Sequence, residues 1–257
     1  MLKIKLLAIV LITAILTSCS RSTLEHENYV QHNIVNLEGQ SLNNIFESAP
    51  QSLLKDWNVI LKDSKIISAS SSRKYFVWDK RKQNYKPINI KELGTSSESP
   101  NVVNIYTIIS EKVDKNNKTE VIIVDSFDHN LNMESLSSET SLLGFSMGFN
   151  SKDAIKSNSE IGVIHFDDRD EKIPVTSVFS GIGWERNVMN NDFPNSGTFS
   201  MILYKNESFE NSRTIFSRLD LDINSKNKEQ FYYQFTGSQL TINKSSEINL
   251  TNETTLR

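Results

Sequence analysis

The stretch Val102–Ser126, VVNIYTIISEKVDKNNKTEVIIVDS, decides the fold class. It has two runs rich in Val, Ile and Thr, Val102–Val113 and Thr119–Ser126, on either side of the polar segment Asp114–Lys118. β-Branched residues favour extended strands, and a short polar segment between two such runs is typical of a hairpin turn. The stretch therefore predicts an antiparallel β-hairpin.

Short runs of the same composition recur along the chain and are separated by polar turns. The run Thr214–Ile223 alternates, with Ile215, Leu219 and Leu221 on one face and charged residues on the other. Alternation of this kind is typical of antiparallel sheets with one buried face. The sequence thus predicts a mainly β protein, an antiparallel β-sandwich or barrel, with α+β character at the N-terminal end. The predicted strands are Lys65–Ala69, Lys74–Asp79, Val102–Val113, Thr119–Ser126, Ser141–Phe149, Ile161–Phe166, Lys172–Phe179, Thr198–Tyr204, Thr214–Ile223, Gln230–Phe235 and Gln239–Ile242.

The segment Ser41–Lys62 has the clearest helical periodicity. Its apolar residues follow each other at spacings of three and four on both sides of Pro50, a residue that favours the first turn of a helix. We therefore predict two short amphipathic helices here. They suit either of two roles, cover for one face of a sheet or a surface for a partner or a membrane. The apolar positions are Leu42, Ile45, Phe46, Ala49, Leu53, Leu54, Trp57, Ile60 and Leu61.

The first 18 residues, MLKIKLLAIVLITAILTS, combine a basic start at Lys3 and Lys5 with the apolar run Leu6–Leu16. This order is typical of a secretory signal peptide, and the apolar run is too short for a membrane-spanning helix. The run ends in Leu16-Thr17-Ser18-Cys19. This motif resembles the lipobox of bacterial lipoproteins, an aliphatic residue and two small residues before a cysteine.

The resemblance implies cleavage between Ser18 and Cys19 and a lipid-anchored mature chain. In bacterial lipoproteins the cysteine sulfur carries a diacylglycerol, and the new amino group receives an acyl chain such as palmitate. Two or more chains hold a protein stably on a bilayer. Cys19 is the one cysteine in the sequence, so the exported chain cannot close an internal disulfide. Ser20 follows it, and by resemblance to enterobacterial lipoproteins serine at this position favours the outer membrane, on either its periplasmic or its surface face. In a Gram-positive host the resemblance implies the outer face of the plasma membrane instead.

The chain has 28 Lys and Arg against 31 Asp and Glu, a formal net charge of −3, and 37% of its residues are hydrophobic. This composition predicts a folded core. The acidic balance, with no evident basic patch, predicts neither nucleic acid nor an anionic lipid surface as a partner.

Four consecutive regions follow from these patterns. We predict a signal peptide at residues 1–18 and a flexible tether at 19–40. A mostly β globular domain follows at 41–250, with an internal boundary, if there is one, near 80–100. Residues 251–257 are expected to form a polar tail.

The motif Gly144-Phe145-Ser146-Met147-Gly148 has the G-x-S-x-G pattern of a hydrolase nucleophile elbow. Asp170, four residues before Pro174, resembles the triad acid of α/β-hydrolases. That family needs a histidine after the acid in chain order, whereas all four histidines here precede Asp170. The residues after Ser146 also lack the apolar face of a helix. Two β segments with glycines explain both matches, and we predict no catalytic residue.

Three acidic segments offer ligands to a metal ion, and each also fits a structural role. Asp167–Glu171 suits a calcium site or a hairpin turn. Asp220–Ser225 starts like an EF-hand loop but lacks the glycine and the final glutamate of that motif. Asp125–His129, together with His165, suits a metal site or a turn after a strand. We predict the structural role in each case, and therefore no metal and no cofactor.

The segment Ser180–Trp184 places a tryptophan after two glycines. The tryptophan is expected either in the core or exposed to a sugar or a partner, and we predict the core.

These features favour a lipid-anchored envelope protein whose β domain is a non-enzymatic binding or interaction module of the assembly, immunity or adhesion type. Its expected partner is a protein or a glycan. The alternative is an envelope hydrolase that uses Ser146 or a carboxylate-bound metal. A third hypothesis is a structural lipoprotein with no specific ligand.

Overall fold

The computed structural model describes residues 29–34, 46, 48–92, 99–133, 140–149, 160–174, 176–178, 181–204, 213–223, 231, 233–236, 239–242 and 246–256. Within these residues the chain forms one α-helix, a short 3-10 helix and fifteen strands. The helix α1 is Gln51–Ile60, the 3-10 helix is Ile90–Glu92, and the strands are β1 Tyr29–Ile34, β2 Lys65–Asp79, β3 Asn84–Pro87, β4 Asn101–Val113, β5 Thr119–His129, β6 Thr140–Phe149, β7 Ile161–His165, β8 Asp170–Lys172, β9 Thr176–Val178, β10 Gly181–Met189, β11 Ser196–Tyr204, β12 Arg213–Ile223, β13 Tyr233–Thr236, β14 Gln239–Ile242 and β15 Ile248–Leu256.

The strands form two main antiparallel sheets. Sheet A has the order β1-β2-β4-β5-β11-β7-β8, and β3 also pairs with β2. Sheet B has the order β15-β12-β6-β10-β9, while β13 and β14 form a separate hairpin. One apolar cluster contains buried side chains from both sheets, which therefore pack face to face. The prediction of a mainly β fold is confirmed, as a sandwich.

Aromatic rings fill the centre of the space between the sheets. The rings of Phe145 on β6 and Phe199 on β11 are stacked, with centroids 4.5 Å apart. Trp184 on β10 lies 5.7 Å from Phe199, measured between ring centroids, and is 6% exposed. The core interpretation of Trp184 is thereby confirmed. Offset ring pairs of this kind add to the free energy gained from apolar burial.

Helix α1 covers the outer face of sheet A. Trp57 and Leu53 are fully buried against apolar side chains of β4 and β5, including Tyr106. The indole Nε1 of Trp57 donates a 2.9 Å hydrogen bond to Ser126 Oγ. Of the two predicted roles for this segment, cover for a sheet face is confirmed for α1. Residues 41–45 and 47, in the first of the two predicted helices, lie outside the described residues.

The hairpin between β4 and β5 forms where the sequence predicts it. Asp114 N–H donates to Lys118 O at 2.8 Å, and the Asp114 side chain accepts from the backbone N–H of Asn116 and of Lys118. Asn117 adopts the left-handed conformation, with φ of 64°, which asparagine tolerates better than most residues.

Two predicted strands in the region 65–79 are one continuous strand, β2. Its centre contains the serines Ser70 and Ser72, which the sequence analysis places between strands. Both side chains are fully buried because they bond to polar groups of β15, including Asn252. A polar partner on the facing sheet removes the desolvation penalty that makes serine unfavourable in a core.

Three boundaries differ from those predicted. Tyr29–Ile34, within the span expected to be a tether, pairs with β2 as strand β1. β15 continues the sheet to Leu256, through most of the expected polar tail, because Asn252 and Thr254 find polar partners inside the sandwich. The strands β2 and β4, which flank the boundary expected near 80–100, pair with each other in one sheet.

Candidate functional site

The G-x-S-x-G motif lies in the middle of strand β6. Ser146 is opposite Gly183 of β10 on one side and Arg218 of β12 on the other. Strand β6 continues for six residues before Ser146 and for three after it, so Ser146 does not stand on the tight turn of a nucleophile elbow. Its side chain is fully buried, and Oγ has no hydrogen-bond partner among the described residues. The motif supplies small residues to a sheet and forms no hydrolase geometry.

His165, at the end of β7, lies between two carboxylates. Its Nδ1 is 2.7 Å from Asp170 Oδ1 on β8, and its Nε2 is 2.8 Å from Asp56 Oδ2 on α1. Burial lowers the pKa of His165, but the hydrogen bonds and charges of Asp56 and Asp170 outweigh it and raise the pKa above its usual value. Because both ring nitrogens are bonded, the imidazole has no free nitrogen to act as a base. The cluster joins α1 to the β7–β8 hairpin.

The acidic run Asp167–Glu171 lies at the hairpin turn between β7 and β8, as predicted. Residues 167–169 are in the turn, and Asp170 and Glu171 begin β8. The carboxylates of the run have separate partners. Asp168 lies 3.1 Å from Arg169, and Glu171 forms an ion pair with Arg186. Asp170 bonds to His165, and Asp167 accepts from the amide of Asn195. Calcium coordination needs several carboxylates that converge on one point, and here they diverge toward separate partners.

The segment Asp125–His129 also does not converge on a metal. Alternation along β5 directs Asp125 into the sandwich and Asp128 to the outer face, where Asn104 donates to it at 3.0 Å. His129 Nε2 is 2.9 Å from Pro194 O, and burial lowers the pKa of His129 to about 4. In the part of the chain that the structure describes, no group of three or more His, Cys, Asp or Glu is arranged to hold a metal ion.

Asp220, the first residue of the EF-hand-like segment, is in strand β12 rather than in a loop. Its carboxylate is fully buried and accepts from Arg218 Nε at 2.7 Å and from Ser246 Oγ at 2.5 Å. A buried carboxylate with this many partners has a structural role, and the strand conformation cannot wrap around a calcium ion.

A network of buried polar side chains crosses the space between the sheets. Ser217 Oγ on β12 donates to Asp125 Oδ2 on β5 at 2.6 Å. Thr107 Oγ1 on β4 lies 3.1 Å from Ser217 Oγ and accepts from Asn252 Nδ2 on β15 at 2.7 Å. All four side chains are fully buried. The network therefore connects two strands of sheet A to two strands of sheet B.

The same network extends to β2. The amide of Asn252 also donates to Ser70 Oγ at 2.8 Å and accepts from Ser72 Oγ at 2.8 Å. Ser70 Oγ is in hydrogen-bond contact with Thr254 Oγ1. Asn252 thereby uses both donors of its amide and one acceptor site, which fixes the orientation of its side chain.

Asp125 is the one ionisable member of this network. Burial raises its pKa to about 7, although the hydrogen bonds from Ser217 and Thr107 act in the opposite direction. Its second oxygen, Oδ1, has no partner among the described residues. The carboxyl group thus gains or loses its proton near neutral pH inside the core, where a charge is costly.

Neither Asp56, the partner of His165, nor the polar network is evident as a site from the sequence. Asp56 is 109 residues away from His165 and no local pattern connects them. The network does leave a signal in the strand pattern. Ser217 occupies the apolar phase of its strand, between Ile215 and Leu219, and Asp125 occupies the corresponding phase of β5. A polar residue at such a position indicates a polar partner on the facing sheet.

Cys19 and Ser18, the predicted lipidation and cleavage residues, lie outside the described residues. Within the described ranges, no helix has the length and apolar character needed to cross a membrane.

No protein-family model matches the sequence, and no curated protein matches it. Among solved structures, the chain is similar to one from work on the pH-induced modulation of Streptococcus parasanguinis adhesion by Fap1 fimbriae, with 10% identity over 89% of this chain and 94% of that chain and a TM-score of 0.32. It is similar to the collagen binding domain of the Erysipelothrix rhusiopathiae surface protein RspB, with 6% identity, coverage of 88% and 96%, and a TM-score of 0.30. It is also similar to AvmM, which catalyzes macrocyclization in alchivemycin A biosynthesis, with 7% identity, coverage of 52% and 79%, and a TM-score of 0.22. Similarities this weak carry no argument about function.

Proposed function

We propose that this protein is a lipid-anchored lipoprotein of a bacterial envelope whose β-sandwich is a non-enzymatic binding or interaction module. The observation that carries the proposal is the order of a basic start, an apolar run and Leu16-Thr17-Ser18-Cys19 at the amino terminus. Acylation of Cys19 accounts for the single cysteine in an exported chain, because it removes a thiol that has no disulfide partner.

The non-enzymatic part of the proposal is supported by what the candidate catalytic groups contact. Ser146 is inside a strand, both nitrogens of His165 are bonded to carboxylates, and Asp220 is paired with Arg218. His165 and Asp220 bond to other parts of the fold, and Ser146 is buried within a sheet. The loops at the two ends of a sandwich are where such folds present binding residues, so a protein or glycan partner is the ligand we expect.

The anchoring is tested by intact-mass spectrometry of the native product and of the Cys19→Ala variant. We expect the native mass to correspond to a chain that starts at Cys19 and carries diacylglycerol and an acyl chain. The variant is expected to lose the lipid mass and to leave the membrane fraction when cells are broken without detergent. An unmodified thiol in the native product refutes the proposal.

The outer-membrane location is tested by separating the two membranes on a density gradient. By resemblance to enterobacterial lipoproteins, the native chain is expected in the outer-membrane fraction and the Ser20→Asp variant in the inner-membrane fraction. Recovery of both proteins in the same fraction refutes the role given to Ser20. Protease treatment of intact cells then separates surface exposure from a periplasmic position.

The binding role is tested by cross-linking in the intact envelope, followed by identification of the attached proteins. We expect a defined partner that is recovered with the native chain. Ester hydrolysis by the purified protein that disappears in Ser146→Ala, without any cross-linked partner, supports the hydrolase alternative instead.

A further inference from the structure

The β2–β3 hairpin carries a concentration of basic side chains. Seven Lys and Arg and two acids lie between residues 73 and 92, a formal charge of +5 in a chain whose total is −3. The remainder of the chain therefore has a formal charge of −8. The exposed basic residues, which we call the basic hairpin, are Lys80, Arg81, Lys82, Lys86 and Lys91.

The loop of the basic hairpin has a defined conformation. Asp79 Oδ1 accepts hydrogen bonds from the backbone N–H groups of Arg81 and Lys82, at 3.0 and 3.2 Å. Asp79 Oδ2 lies 2.5 Å from Lys86 Nζ, so one acid neutralises one of the cations. Among the described residues, Lys80, Arg81, Lys82 and Lys91 form no ion pair, and their charges face solvent.

The chain enters the sandwich beside this hairpin. Phe76 of β2 pairs with Asn101 of β4 on one side and with Pro87 of β3 on the other, so β3 lies on the edge of β2 away from β4. β1 pairs with β2 on that same edge, where Tyr29 is opposite Lys74. Because β1 is antiparallel to β2, β1 begins at the end of β2 that leads into the β2–β3 loop.

The distances allow the basic hairpin to reach the membrane that holds Cys19. The loop of the basic hairpin begins just beyond Asp79, which is five residues after Lys74 in β2. At the rise of a strand, these five residues extend about 17 Å. Tyr29 is ten positions after Cys19 in the sequence, and a chain of that length spans at most about 35 Å. That upper limit is larger than the projection of the hairpin, so the length of the segment does not keep the hairpin away from the membrane.

We propose that the basic hairpin docks on anionic lipid headgroups of the membrane that anchors the chain, and so orients the sandwich on the bilayer. This inference rests on the proposed lipid anchor. Exposed Lys and Arg side chains are attracted to a negatively charged bilayer, and the attraction adds up over several residues within a Debye length of the surface. The sequence predicts no basic patch and no anionic lipid partner from the net charge of the whole chain, but net charge averages over the surface, and residues 73–92 carry a local formal charge of +5.

The test uses the full lipidated chain, reconstituted through its anchor into vesicles. Since Cys19 is acylated, a fluorophore attaches only at an introduced cysteine, Gln83→Cys in the basic hairpin or Asn116→Cys in the β4–β5 turn. Quenching by headgroup-labelled lipid is compared between phosphatidylcholine vesicles and vesicles that also contain phosphatidylglycerol.

At residue 83 we expect roughly threefold stronger quenching with the anionic lipid, and we expect the difference to vanish at about 0.5 M salt, where charges are screened. β4 starts beside the basic hairpin and ends at the turn that contains residue 116. Residue 116 is therefore expected to show no such difference.

The matched variants separate the basic hairpin from total charge. Lys80→Gln/Arg81→Gln/Lys82→Gln is expected to abolish the difference between the two lipid compositions. Lys55→Gln/Lys62→Gln/Lys115→Gln removes the same charge from exposed positions elsewhere and is expected to retain it.

Two outcomes overturn the inference. One is equal quenching at residue 83 in neutral and anionic vesicles, and the other is the same lipid dependence at residues 83 and 116. Flotation with vesicles distinguishes this failure from failure of the proposed function. A chain that floats with neutral vesicles is anchored whatever the hairpin does. A chain that floats only with anionic vesicles lacks the anchor but retains the hairpin contact, and a chain that floats with neither refutes both.

Discussion

Ser217 Oγ donates a 2.6 Å hydrogen bond to Asp125 Oδ2 between the two sheets, and both residues are fully buried. One residue belongs to β12 of sheet B and the other to β5 of sheet A. Burying an ionised carboxylate costs more free energy than two neutral hydrogen bonds return. The protonation of Asp125 is therefore coupled to how stably the two sheets are held together.

We expect the contribution of Asp125 to the free energy of unfolding to fall as the pH rises from about 4 to about 7. The pKa of Asp125 is about 7 in the folded protein, against about 3.9 in an unfolded chain. Between these values the folded state binds more protons than the unfolded state, so this contribution to stability is complete below the lower pKa and is lost as the pH approaches the upper one. The slope is at most about 1.4 kcal/mol per pH unit. Urea unfolding at several pH values measures it.

The Asp125→Asn variant provides the control, because its amide is neutral at every pH. The difference in stability between the variant and the native protein isolates Asp125. His129, whose lowered pKa acts in the opposite sense, contributes equally to both. Parallel pH profiles for the two proteins contradict the prediction.

The sandwich is predictable from sequence because several of its strands leave a local signal. The β4–β5 hairpin combines β-branched residues with a turn whose aspartate bonds to the backbone, and all of these contacts are local. β2 is harder to predict, because Ser70 and Ser72 look like a break between strands. They are accepted inside the core through bonds to Asn252, about 180 residues further along the chain.

The contacts of the candidate site residues are harder to predict than the strands, because they join residues that are far apart in the sequence. G-x-S-x-G and the acidic run are local patterns, and the fold gives them structural roles in a strand and in a turn. The contact of His165 with Asp56 joins a strand to a helix that precedes it by 109 residues. Sequence periodicity identifies α1 and β7 separately, but it does not specify which residues of the two elements face each other.

We expect the His165→Gln variant to lose stability at pH 6 and to lose less at pH 9. The two carboxylates raise the pKa of His165 in the folded protein. The stabilisation from protonated His165 is therefore complete below its unfolded pKa of about 6.5 and is lost as the pH rises through the higher folded value. Urea unfolding of the variant and the native protein at both pH values measures the effect.

Asp56 and Asp170 are expected to differ in how much each contributes to the free energy of unfolding at pH 6. Asp56 is 17% exposed at its side chain and Asp170 is 59% exposed. Solvent screens the more exposed pair, so Asp56→Asn should cost more stability at pH 6 than Asp170→Asn. An equal cost, or a larger cost for Asp170→Asn, contradicts this account of the cluster.

Trp57 is expected to contribute most of the attachment of α1 to sheet A. Trp57→Ala should lower the free energy of unfolding by about 3–5 kcal/mol, because it leaves a large cavity. Trp57→Phe keeps most of the ring packing but removes the bond to Ser126, and should cost about 1 kcal/mol from the hydrogen bond alone. Urea unfolding measures both.

Val59, on the same helix, is the matched control because it is 71% exposed. Val59→Ala should change the stability by less than about 0.5 kcal/mol. A cost for Val59→Ala as large as that for Trp57→Ala is incompatible with the orientation of α1.

Ser146→Ala is expected to leave the stability unchanged or to raise it slightly. The hydroxyl of Ser146 is fully buried and has no partner among the described residues, so its removal eliminates a desolvation penalty without breaking a hydrogen bond. Ser126→Ala is the comparison, because Ser126 Oγ accepts from Trp57 and donates to Thr198. It should destabilise the protein by about 1–3 kcal/mol, since it leaves the indole N–H unpaired.

The two variants also separate a structural serine from a nucleophile. If Ser146 were a nucleophile, its replacement would abolish hydrolysis of model esters while leaving the fold intact. In the geometry of β6 the serine lies in an extended strand, where no tight turn exposes Oγ. Esterase assays and urea unfolding on the same preparations of Ser146→Ala and Ser126→Ala measure both properties. A loss of ester hydrolysis specific to Ser146→Ala contradicts the structural role given to this residue.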